Sequence, residues 1–320
     1  MNLLITGATG FVGSRLVDVA LDKQYNVSAV TRSAALPNQE SNYNLQWCIG
    51  NLSSEFDWSK NLTGIDCVIH CAARVHQMQD DAQDIQAVYD QTNFHGTLNL
   101  AKQAVANGVK RFIFISSIKV NGEQTEVGTA FQPIVNHPPR DPYGISKYKA
   151  EQALLSLAEE TGLEVVIIRP PLVYGPGVKA NFQSMMKWVS RSMPLPLGAI
   201  NNQRSMVYLD NLVDLILLCI EHPNAVNQIF LVSDDHDIST SQLLRKINQL
   251  SNAHCLLLPI PMSWFQVIAS VMNKPQIAQR LCGSLQVDIT HTQKQLNWQP
   301  PVSWEQGTLE TVTDYLSNKK

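Results

Sequence analysis

The chain has 320 residues, of which 44% are hydrophobic and 16% are charged, and its formal net charge is −3. This length suffices for one large α/β domain, or for a domain with a smaller lobe. The slightly acidic balance gives no basic stripe, which excludes nucleic acid as an expected partner. No apolar run reaches about 18 residues, so no membrane span is predicted.

Six cysteines are scattered along the chain, and Cys67 and Cys71 are the only close pair. Both fall in an apolar, strand-like run, a setting typical of reduced core thiols rather than of metal ligands. No metal site is therefore expected. Glycines follow Met1 almost at once, without a signal-like segment, and the protein is interpreted as cytoplasmic.

The first predicted elements form a βαβ unit. Residues 2–5 form an apolar strand, residues 6–13 read TGATGFVG, and a helical pattern continues to Leu21. Gly7 permits a tight turn, Gly10 lets the backbone approach a pyrophosphate, and Gly13 lets the helix pack against the strand. The helix N-terminus would then face the phosphates. The stretch predicts dinucleotide binding, with a plain glycine-rich turn as the alternative.

The second predicted strand covers residues 26–30 and is followed by Thr31, Arg32 and Ser33. An acidic side chain here would bind the 2′-hydroxyl of an adenosine ribose, but Thr31 stands in its place. A guanidinium such as that of Arg32 suits a 2′-phosphate, so NADP is favoured over NAD. The alternative is that Arg32 is an ordinary solvated surface charge.

Strands and helices continue to alternate along the chain, which predicts a doubly wound, parallel Rossmann-type α/β sheet. Further strands are expected at 45–49, 66–71, 111–115, 164–168 and 228–232, with a long helix over 85–107. Ligands of such sheets lie beyond the carboxyl ends of the strands, where Gly7, Ala72, Ser117 and Pro171 fall. Residues 1–175 are interpreted as the dinucleotide-binding domain, to which strand 228–232 returns. Residues 176–320 are interpreted mainly as a smaller C-terminal substrate-binding lobe.

The stretch DPYGISK, residues 141–147, is typical of a helix start. Asp141 is a good N-cap, and Pro142 suits the first helical position. Tyr143 and Lys147 would then share one helical face. An ammonium near a phenol favours the phenolate, which tunes a tyrosine for proton transfer to an alkoxide or from an alcohol. The Tyr-x-x-x-Lys pattern also arises by chance on exposed helices.

Taken together, these motifs resemble the extended short-chain dehydrogenase/reductases over nearly the whole chain. The matching features, in order, are the strand with TGATGFVG, HCAA, Asn93 in NFHGT, Ser116-Ser117, the Tyr143/Lys147 pair and VYGPG. Within that group the sequence is most similar to nucleotide-sugar enzymes of the epimerase/dehydratase type. The runs SSIKVNG and RPPLVYGPGVKANF resemble bacterial 4-ketoreductases that make UDP-N-acetylquinovosamine for surface polysaccharide such as lipopolysaccharide O-antigen.

The resemblance implies roles for individual residues. Tyr143 resembles the general acid/base, Lys147 the residue that binds the nicotinamide ribose, and Ser117 the serine that hydrogen-bonds the reacting oxygen. The implied cofactor-binding residues are Gly7, Thr9, Gly10, Phe11, Val12, Gly13, Arg32, Asn51, Leu52, Ala72, Ala73, Asn93, Tyr143, Lys147, Pro170 and Pro171. The implied substrate-binding residues are Ser117, Lys119, Asn181, Phe182 and Arg204, with Arg204 gripping a diphosphate. For Arg204 the alternative is a surface ion pair, and for Asn181 and Phe182 it is loop packing.

Several positions depart from the family's patterns. Sugar dehydratases of this group carry Asp-Glu where this chain has Ile118 and Lys119, so dehydration is not expected. Many epimerases have asparagine at the position of Leu172, and Asn121 replaces the tyrosine of the usual VYG run. Leu172 together with Arg32 favours a reductase that exchanges NADP(H).

The sequence therefore predicts an NAD(P)-dependent reductase acting at C4 of a UDP-4-keto-6-deoxy-hexosamine. The nearer alternative is a UDP-hexose 4-epimerase, which would use the same catalytic residues. A remote alternative is a dinucleotide-sensing regulator without a reaction. A homodimer is also expected, through the helix that contains Asn93 and the helix after Tyr143, whose Ala150, Leu154 and Leu157 form an apolar stripe. The alternative is that this stripe only packs on the sheet.

Overall fold

A computed structural model describes residues 1–33, 43–75, 84–261, 264 and 281–318 of the protein. Seven parallel strands form the central sheet in the order β3-β2-β1-β4-β5-β6-β9, and β7 pairs with β8 in a second sheet. The strands are β1 (Asn2–Thr6), β2 (Asn26–Thr31), β3 (Leu45–Ile49), β4 (Cys67–His70), β5 (Arg111–Ile115), β6 (Glu164–Arg169), β7 (Leu172–Tyr174), β8 (Met206–Tyr208) and β9 (Gln228–Leu231).

Helices cover both faces of this sheet because its strands are apolar on both sides. Leu3 and Ile5 of β1 belong to one hydrophobic cluster, and Leu4 belongs to the cluster on the opposite face, as the two-residue period of a strand requires. The helices are α1 (Phe11–Asp22), α2 (Ser59–Leu62), α3 (Ile85–Tyr89), α4 (Thr97–Ala106), α5 (Pro142–Thr161), α6 (Ala180–Ser190), α7 (Leu209–Leu218), α8 (Thr240–Leu250), α9 (Thr290–Leu296) and α10 (Trp304–Ser317).

The predicted parallel, Rossmann-type sheet is confirmed. From β1, one half of the sheet extends through β2 and the other half through β4. This reversal of strand order creates the crevice in which such sheets bind ligands. A third hydrophobic cluster lies outside the central sheet, around Tyr174, Phe182, Met186, Leu244 and Val312. Its buried members all come from the C-terminal half of the chain, beginning with Tyr174 of β7. The proposed division at residue 175 stays a prediction.

The predicted long helix over 85–107 is interrupted by a π-helical segment. Residues Asp90–Gly96 form this segment between α3 and α4. A Cβ atom on Gly96 would lie 2.8 Å from the carbonyl carbon of Leu52, so the widened turn lets two backbones meet. π-Helical turns of this kind occur frequently at functional sites, and this one contains Asn93.

The apolar stripe on α5 does not face outward. Ala150, Leu154 and Leu157 are all buried within their own chain, where they pack in the cluster with Phe112 and Val165 of the sheet. The interpretation of this stripe as a dimer interface was therefore wrong. No helix among the described residues is long and apolar enough to cross a membrane.

A buried ion pair joins α5 to the end of β6. The side chains of Arg169 and Glu151 are 1% and 0% exposed, and Arg169 Nη2 lies 2.5 Å from Glu151 Oε2. The same guanidinium donates to Asn121 Oδ1 at 3.0 Å and to the Pro133 carbonyl at 2.9 Å. Ser116 also donates to Glu151 Oε1 at 2.5 Å. All of these polar groups are satisfied, which is the condition under which a buried pair is tolerated.

We expect Arg169→Met to reduce the free energy of unfolding by about 3–5 kcal/mol, because it leaves Glu151 as an uncompensated buried charge. Urea denaturation monitored by circular dichroism measures this loss. Arg15→Met is the matched control, since its partner Asp210 lies at 2.8 Å but the two side chains are 41% and 31% exposed. The control should lose about 1 kcal/mol or less, and equal losses in the two variants would contradict the prediction.

Candidate active site

The glycine loop brings the ends of β1 and β4 into backbone contact. Gly7 has a φ of +70°, and a Cβ atom there would lie 2.8 Å from the amide nitrogen of Ala72. A Cβ atom on Gly13 would lie 2.1 Å from the Gly7 carbonyl oxygen. Side chains at Gly7 or Gly13 would therefore push the loop, the first turn of α1 and β4 apart.

The first turn of α1 is suited to an anion. Gly10 is the N-cap residue, and no side chain caps the helix. The Gly10 amide donates to the Gly7 carbonyl at 2.8 Å, while Thr9 and Gly10 are exposed and Phe11 and Val12 are half-buried. Uncapped amides and the positive end of the helix dipole fit a pyrophosphate. This part of the chain therefore fits a dinucleotide cofactor.

A buried histidine connects β1, β4 and α4. His70 is fully buried, its Nδ1 lies 2.6 Å from Thr6 Oγ1, and its Nε2 lies 2.9 Å from Thr97 Oγ1. The Thr97 hydroxyl donates to the Asn93 carbonyl at 2.8 Å, so its oxygen is left to accept from His70. His70 is therefore assigned a proton on Nε2, and Nδ1 accepts from Thr6.

Asn93 continues this path to the catalytic helix. Its Oδ1 accepts from the Arg74 amide at 2.8 Å, and its Nδ2 donates to the Arg74 carbonyl and to Ser146 Oγ, both at 3.0 Å. Ser146 in turn donates to the Tyr143 carbonyl at 2.8 Å. A continuous series of hydrogen bonds thus runs from Thr6, beside the glycine loop, to the backbone of Tyr143.

Ser117, Tyr143 and Lys147 meet at the carboxyl end of β5. The predicted cap is present, since Asp141 Oδ1 accepts from the Gly144 amide at 3.2 Å, and α5 begins at Pro142. Ser117 is close enough to Tyr143 to favour the phenolate form of the tyrosine. Lys147 is buried and donates from Nζ to the Ile115 carbonyl at 2.8 Å. The structure thus brings together the three residues predicted to be catalytic.

The electrostatics differ from the expectation that Lys147 lowers the pKa of Tyr143. Burial raises the pKa of Tyr143, the Asp141 carboxylate raises it further, and Ser117 acts in the opposite direction. Burial lowers the pKa of Lys147 to about 7. The ammonium is also held by Ile115 and lies 4.3 Å from the Phe114 ring centroid. An oxidised nicotinamide bound here would add a positive charge that favours the phenolate.

The other predicted cofactor residues lie around this edge of the sheet. Arg32 is exposed just beyond β2, and Thr31 accepts from the Ser33 amide at 3.2 Å. The remaining residues are Asn51, which is exposed, Leu52, Ala72 and Ala73, which are half-buried, and Pro170 and Pro171, which are buried. Each follows a strand of the central sheet, as expected for a ligand at the carboxyl edge.

The predicted substrate residues occupy different environments. Lys119 forms ion pairs with Asp141 and Glu123, and Asn181 is exposed at the start of α6. Phe182 is fully buried with its ring stacked on Tyr174, so its contacts in the structure are with the protein core. Arg204 is half-buried and donates from Nη1 to the Gly283 carbonyl at 3.0 Å. Their contacts with a nucleotide sugar stay predictions.

Sequence reasoning missed Thr6, His70 and Thr97, whose side chains connect the glycine loop to Asn93. One signal was present, since a polar His70 ends an otherwise apolar run, Cys67–Ile69. All six cysteines are free thiols. Within the described residues no group of three or more His, Cys, Asp or Glu side chains is placed to hold a metal ion.

Comparison with known families decides among the possible classes. Residues 3–233 match the model of the NAD dependent epimerase/dehydratase family. The chain belongs to this family. This agrees with the glycine loop, the Tyr143/Lys147 pair and the parallel sheet described above.

Individual relatives agree with this assignment. The chain is 46% identical to the UDP-glucose 4-epimerase of Vibrio cholerae over 317 residues, which is 98% of this chain and 95% of that protein. It is 27% identical to an Escherichia coli O157:H7 N-acetyl-alpha-D-glucosaminyl-diphospho-ditrans,octacis-undecaprenol 4-epimerase, covering 100% of this chain and 97% of that protein. The crystal structure of a Bacillus cereus UDP-glucuronic acid 4-epimerase with NAD has the same fold, with a TM-score of 0.80, 22% identity and full coverage of both chains.

The expected 4-ketoreductase activity was wrong. The relative that matches at 46% identity over almost its whole length is named as a UDP-glucose 4-epimerase, and this favours the epimerase that was held as the alternative. The reductase interpretation depended on Leu172, on Arg32 and on the short runs SSIKVNG and RPPLVYGPGVKANF. Agreement over 317 residues is a broader observation than these positions and runs.

We expect His70→Asn to make the free energy of unfolding depend less steeply on pH between pH 4 and 7. Burial lowers the pKa of His70 from 6.5 to about 3, so between these values the unfolded chain binds a proton that the folded protein does not. The contribution of neutral His70 to the free energy of unfolding is therefore fully present above about pH 6.5, and it is lost as the pH falls towards 3. Urea denaturation between pH 4 and 7 measures the slope in both proteins, and equal slopes would contradict the assignment of a neutral, buried histidine.

Proposed function

We propose that this protein is a UDP-hexose 4-epimerase that retains NAD(P)⁺ as its resident cofactor. The observation that carries the proposal is the 46% identity, over 98% of the chain, to a protein named as a UDP-glucose 4-epimerase. The site supports it, because Ser117, Tyr143 and Lys147 converge beside a loop suited to a pyrophosphate. Inverting the sugar at C4 requires one proton to be taken and later returned, and we assign both steps to Tyr143.

The proposed chemistry assigns a role to each of these residues. When bound, NAD(P)⁺ would supply the oxidising group of the reaction. Tyr143, as the phenolate, accepts the proton of the sugar 4-hydroxyl, and Ser117 donates a hydrogen bond to that oxygen. After the sugar presents its other face, Tyr143 returns the proton to the same oxygen. Lys147 is predicted to hold the nicotinamide ribose.

The residues around Tyr143 keep its geometry fixed during this cycle. Its carbonyl accepts from Ser146, which Asn93 also contacts, and its ring meets the Tyr89 ring edge-on with centroids 6.1 Å apart. A general base must stay within hydrogen-bond reach of its proton, so this support favours turnover.

The direct test is to incubate the purified protein with UDP-glucose, and separately with UDP-N-acetylglucosamine, without added cofactor. Proton NMR should show the C4 epimer accumulating to a constant ratio, with no net change in absorbance at the NAD(P)H wavelength. Turnover that instead requires added NADPH and a 4-keto-sugar, and that consumes NADPH in step with product, would overturn the proposal.

We expect Tyr143→Phe to lower kcat by about 10²–10⁴-fold, because it removes the only hydroxyl assigned to proton transfer. Cofactor binding should change little, since the glycine loop is untouched. Tyr148→Phe is the matched control, because this half-buried tyrosine lies on the same helix but in no assigned role. Steady-state kinetics decide, and more than about a tenth of the wild-type rate would show that Tyr143 is not the acid/base.

We expect NADP⁺ to bind better than NAD⁺, since Arg32 offers a charge-assisted hydrogen bond and Thr31 offers no carboxylate to repel a phosphate. Because Arg32 is exposed, the preference should be nearer tenfold than a hundredfold. Arg32→Ala should remove most of it while leaving NAD⁺ binding unchanged. Titration by fluorescence measures both cofactors, and equal or tighter NAD⁺ binding by the unaltered protein would refute the preference without affecting the epimerase proposal.

The remaining expectations go beyond the comparisons. A homodimer, a cytoplasmic location and a role in surface polysaccharide synthesis stay predictions, as does the sugar itself. The sugar class is narrowed only by the two sequence relatives, which are both named as 4-epimerases of glucose-type sugars.

A further inference from the structure

The N-cap of the catalytic helix carries a carboxylate close to Tyr143. Asp141 precedes Tyr143 by two residues, and its Oδ1 accepts from the Gly144 amide at 3.2 Å. Its Oδ2 is buried and has no hydrogen-bond partner within the part of the chain that the structure describes. A negative charge held here opposes the formation of a second one on the neighbouring phenol.

Lys119 lies directly against this carboxylate. Its Nζ is 3.1 Å from Asp141 Oδ1 and 3.4 Å from Glu123 Oε1, and its side chain is 38% exposed. Lys119 belongs to the short turn Ile118–Val120, which follows Ser117. A Cβ atom on Gly144 would lie 2.8 Å from the Lys119 carbonyl oxygen, so the turn and the first turn of α5 are closely packed. The backbone of Lys119 is therefore held against the turn of α5 that contains Tyr143.

The charged and titratable groups around Tyr143 come from several elements. Lys147 and Asp141 belong to α5 and its cap, Lys119 belongs to the packed turn, and Tyr89 belongs to α3. Cys71, at the end of β4, interacts with Lys147, and Glu123 is held by Lys119. Among these, Asp141 is the carboxylate that raises the pKa of Tyr143. Lys119 is the cation paired with it.

We propose that Lys119 is a positioning residue for Tyr143, acting by neutralising the Asp141 carboxylate beside the phenol. The proposal rests on the proposed function only in assigning proton transfer to Tyr143. It gives a role to the position where sugar dehydratases of this group carry a glutamate. A carboxylate at that position would add a second negative charge beside Asp141, whereas the Lys119 ammonium compensates the charge of Asp141.

The proposal is tested by titrating Tyr143 in the NAD⁺-loaded protein without any sugar. Ultraviolet difference absorbance of the phenolate, corrected with Tyr143→Phe, gives its pKa in four proteins: the unaltered protein, Lys119→Met, Asp141→Asn and the double variant. Asparagine caps helices as well as aspartate does, so Asp141→Asn removes the charge and keeps the cap. Lys149→Met is a control for loss of a cation on the same helix, since Lys149 pairs with Asp90 instead.

We expect Lys119→Met to raise the pKa of Tyr143 by about 0.3–1 unit, because this partly exposed pair is screened by solvent. Asp141→Asn should lower the pKa by a similar amount, and the double variant should return close to the unaltered protein. Lys149→Met should shift it much less than Lys119→Met does. The acid limb of the kcat profile should move to higher pH in Lys119→Met by the same amount as the spectroscopic value.

Three results would overturn the proposal. They are an unchanged pKa in Lys119→Met, shifts in the same direction in both single variants, or a raised KM with an unmoved pKa. The last result would show that Lys119 contacts the substrate directly. Because the titration uses no sugar, the predicted shifts in a protein that fails to epimerise UDP-sugars would refute the proposed function and leave this inference standing.

Discussion

The structure depends on a close approach of backbone between the glycine loop and the end of β4. Gly7 and Ala72 come so near that a single Cβ atom would collide with an amide nitrogen. Packing α1 directly on this loop aims its uncapped amides at the crevice where a dinucleotide would lie. The same contact fixes the distance between β1 and β4, and with it the hydrogen bond that Thr6 donates to His70. Cofactor site and catalytic helix are thus located by one steric constraint.

Polar side chains connect the glycine loop to the backbone of Tyr143. Thr6, His70, Thr97 and Asn93 form a buried path in which each group has a partner of the right kind. Such fully satisfied networks are rigid, and they are costly to interrupt. A neutral imidazole is suited to the middle of the path because it donates from one nitrogen and accepts at the other. The backbone of Tyr143 is therefore connected through hydrogen bonds to His70, a fully buried residue.

Much of the fold could be predicted from the sequence. The strands Leu45–Ile49 and Arg111–Ile115 have the bounds expected from their apolar runs, and Asp141 caps α5 as its residue type indicates. The π-helical segment could not be predicted, because it depends on Gly96 meeting the backbone of Leu52, a contact that no local pattern records. The His70 path was hidden for the same reason. The stacking of Phe182 on Tyr174 could not be predicted either, because no local pattern records that contact. The choice between reductase and epimerase was wrong because two positions, Leu172 and Arg32, and two short runs outweighed the rest of the chain.

The all-parallel sheet has a consequence for how the chain reaches its native state. Partners on adjacent strands are far apart in sequence: Thr6 and His70 are 64 residues apart, and Val165 contacts Asn227 across 62 residues. Each pairing requires a long loop to close before any contact stabilises it, which slows folding. During synthesis the edge of β6 stays uncovered until the ribosome has released β9. Nascent chains that stall between these two strands would expose an apolar edge, and chaperones are expected to recognise them there.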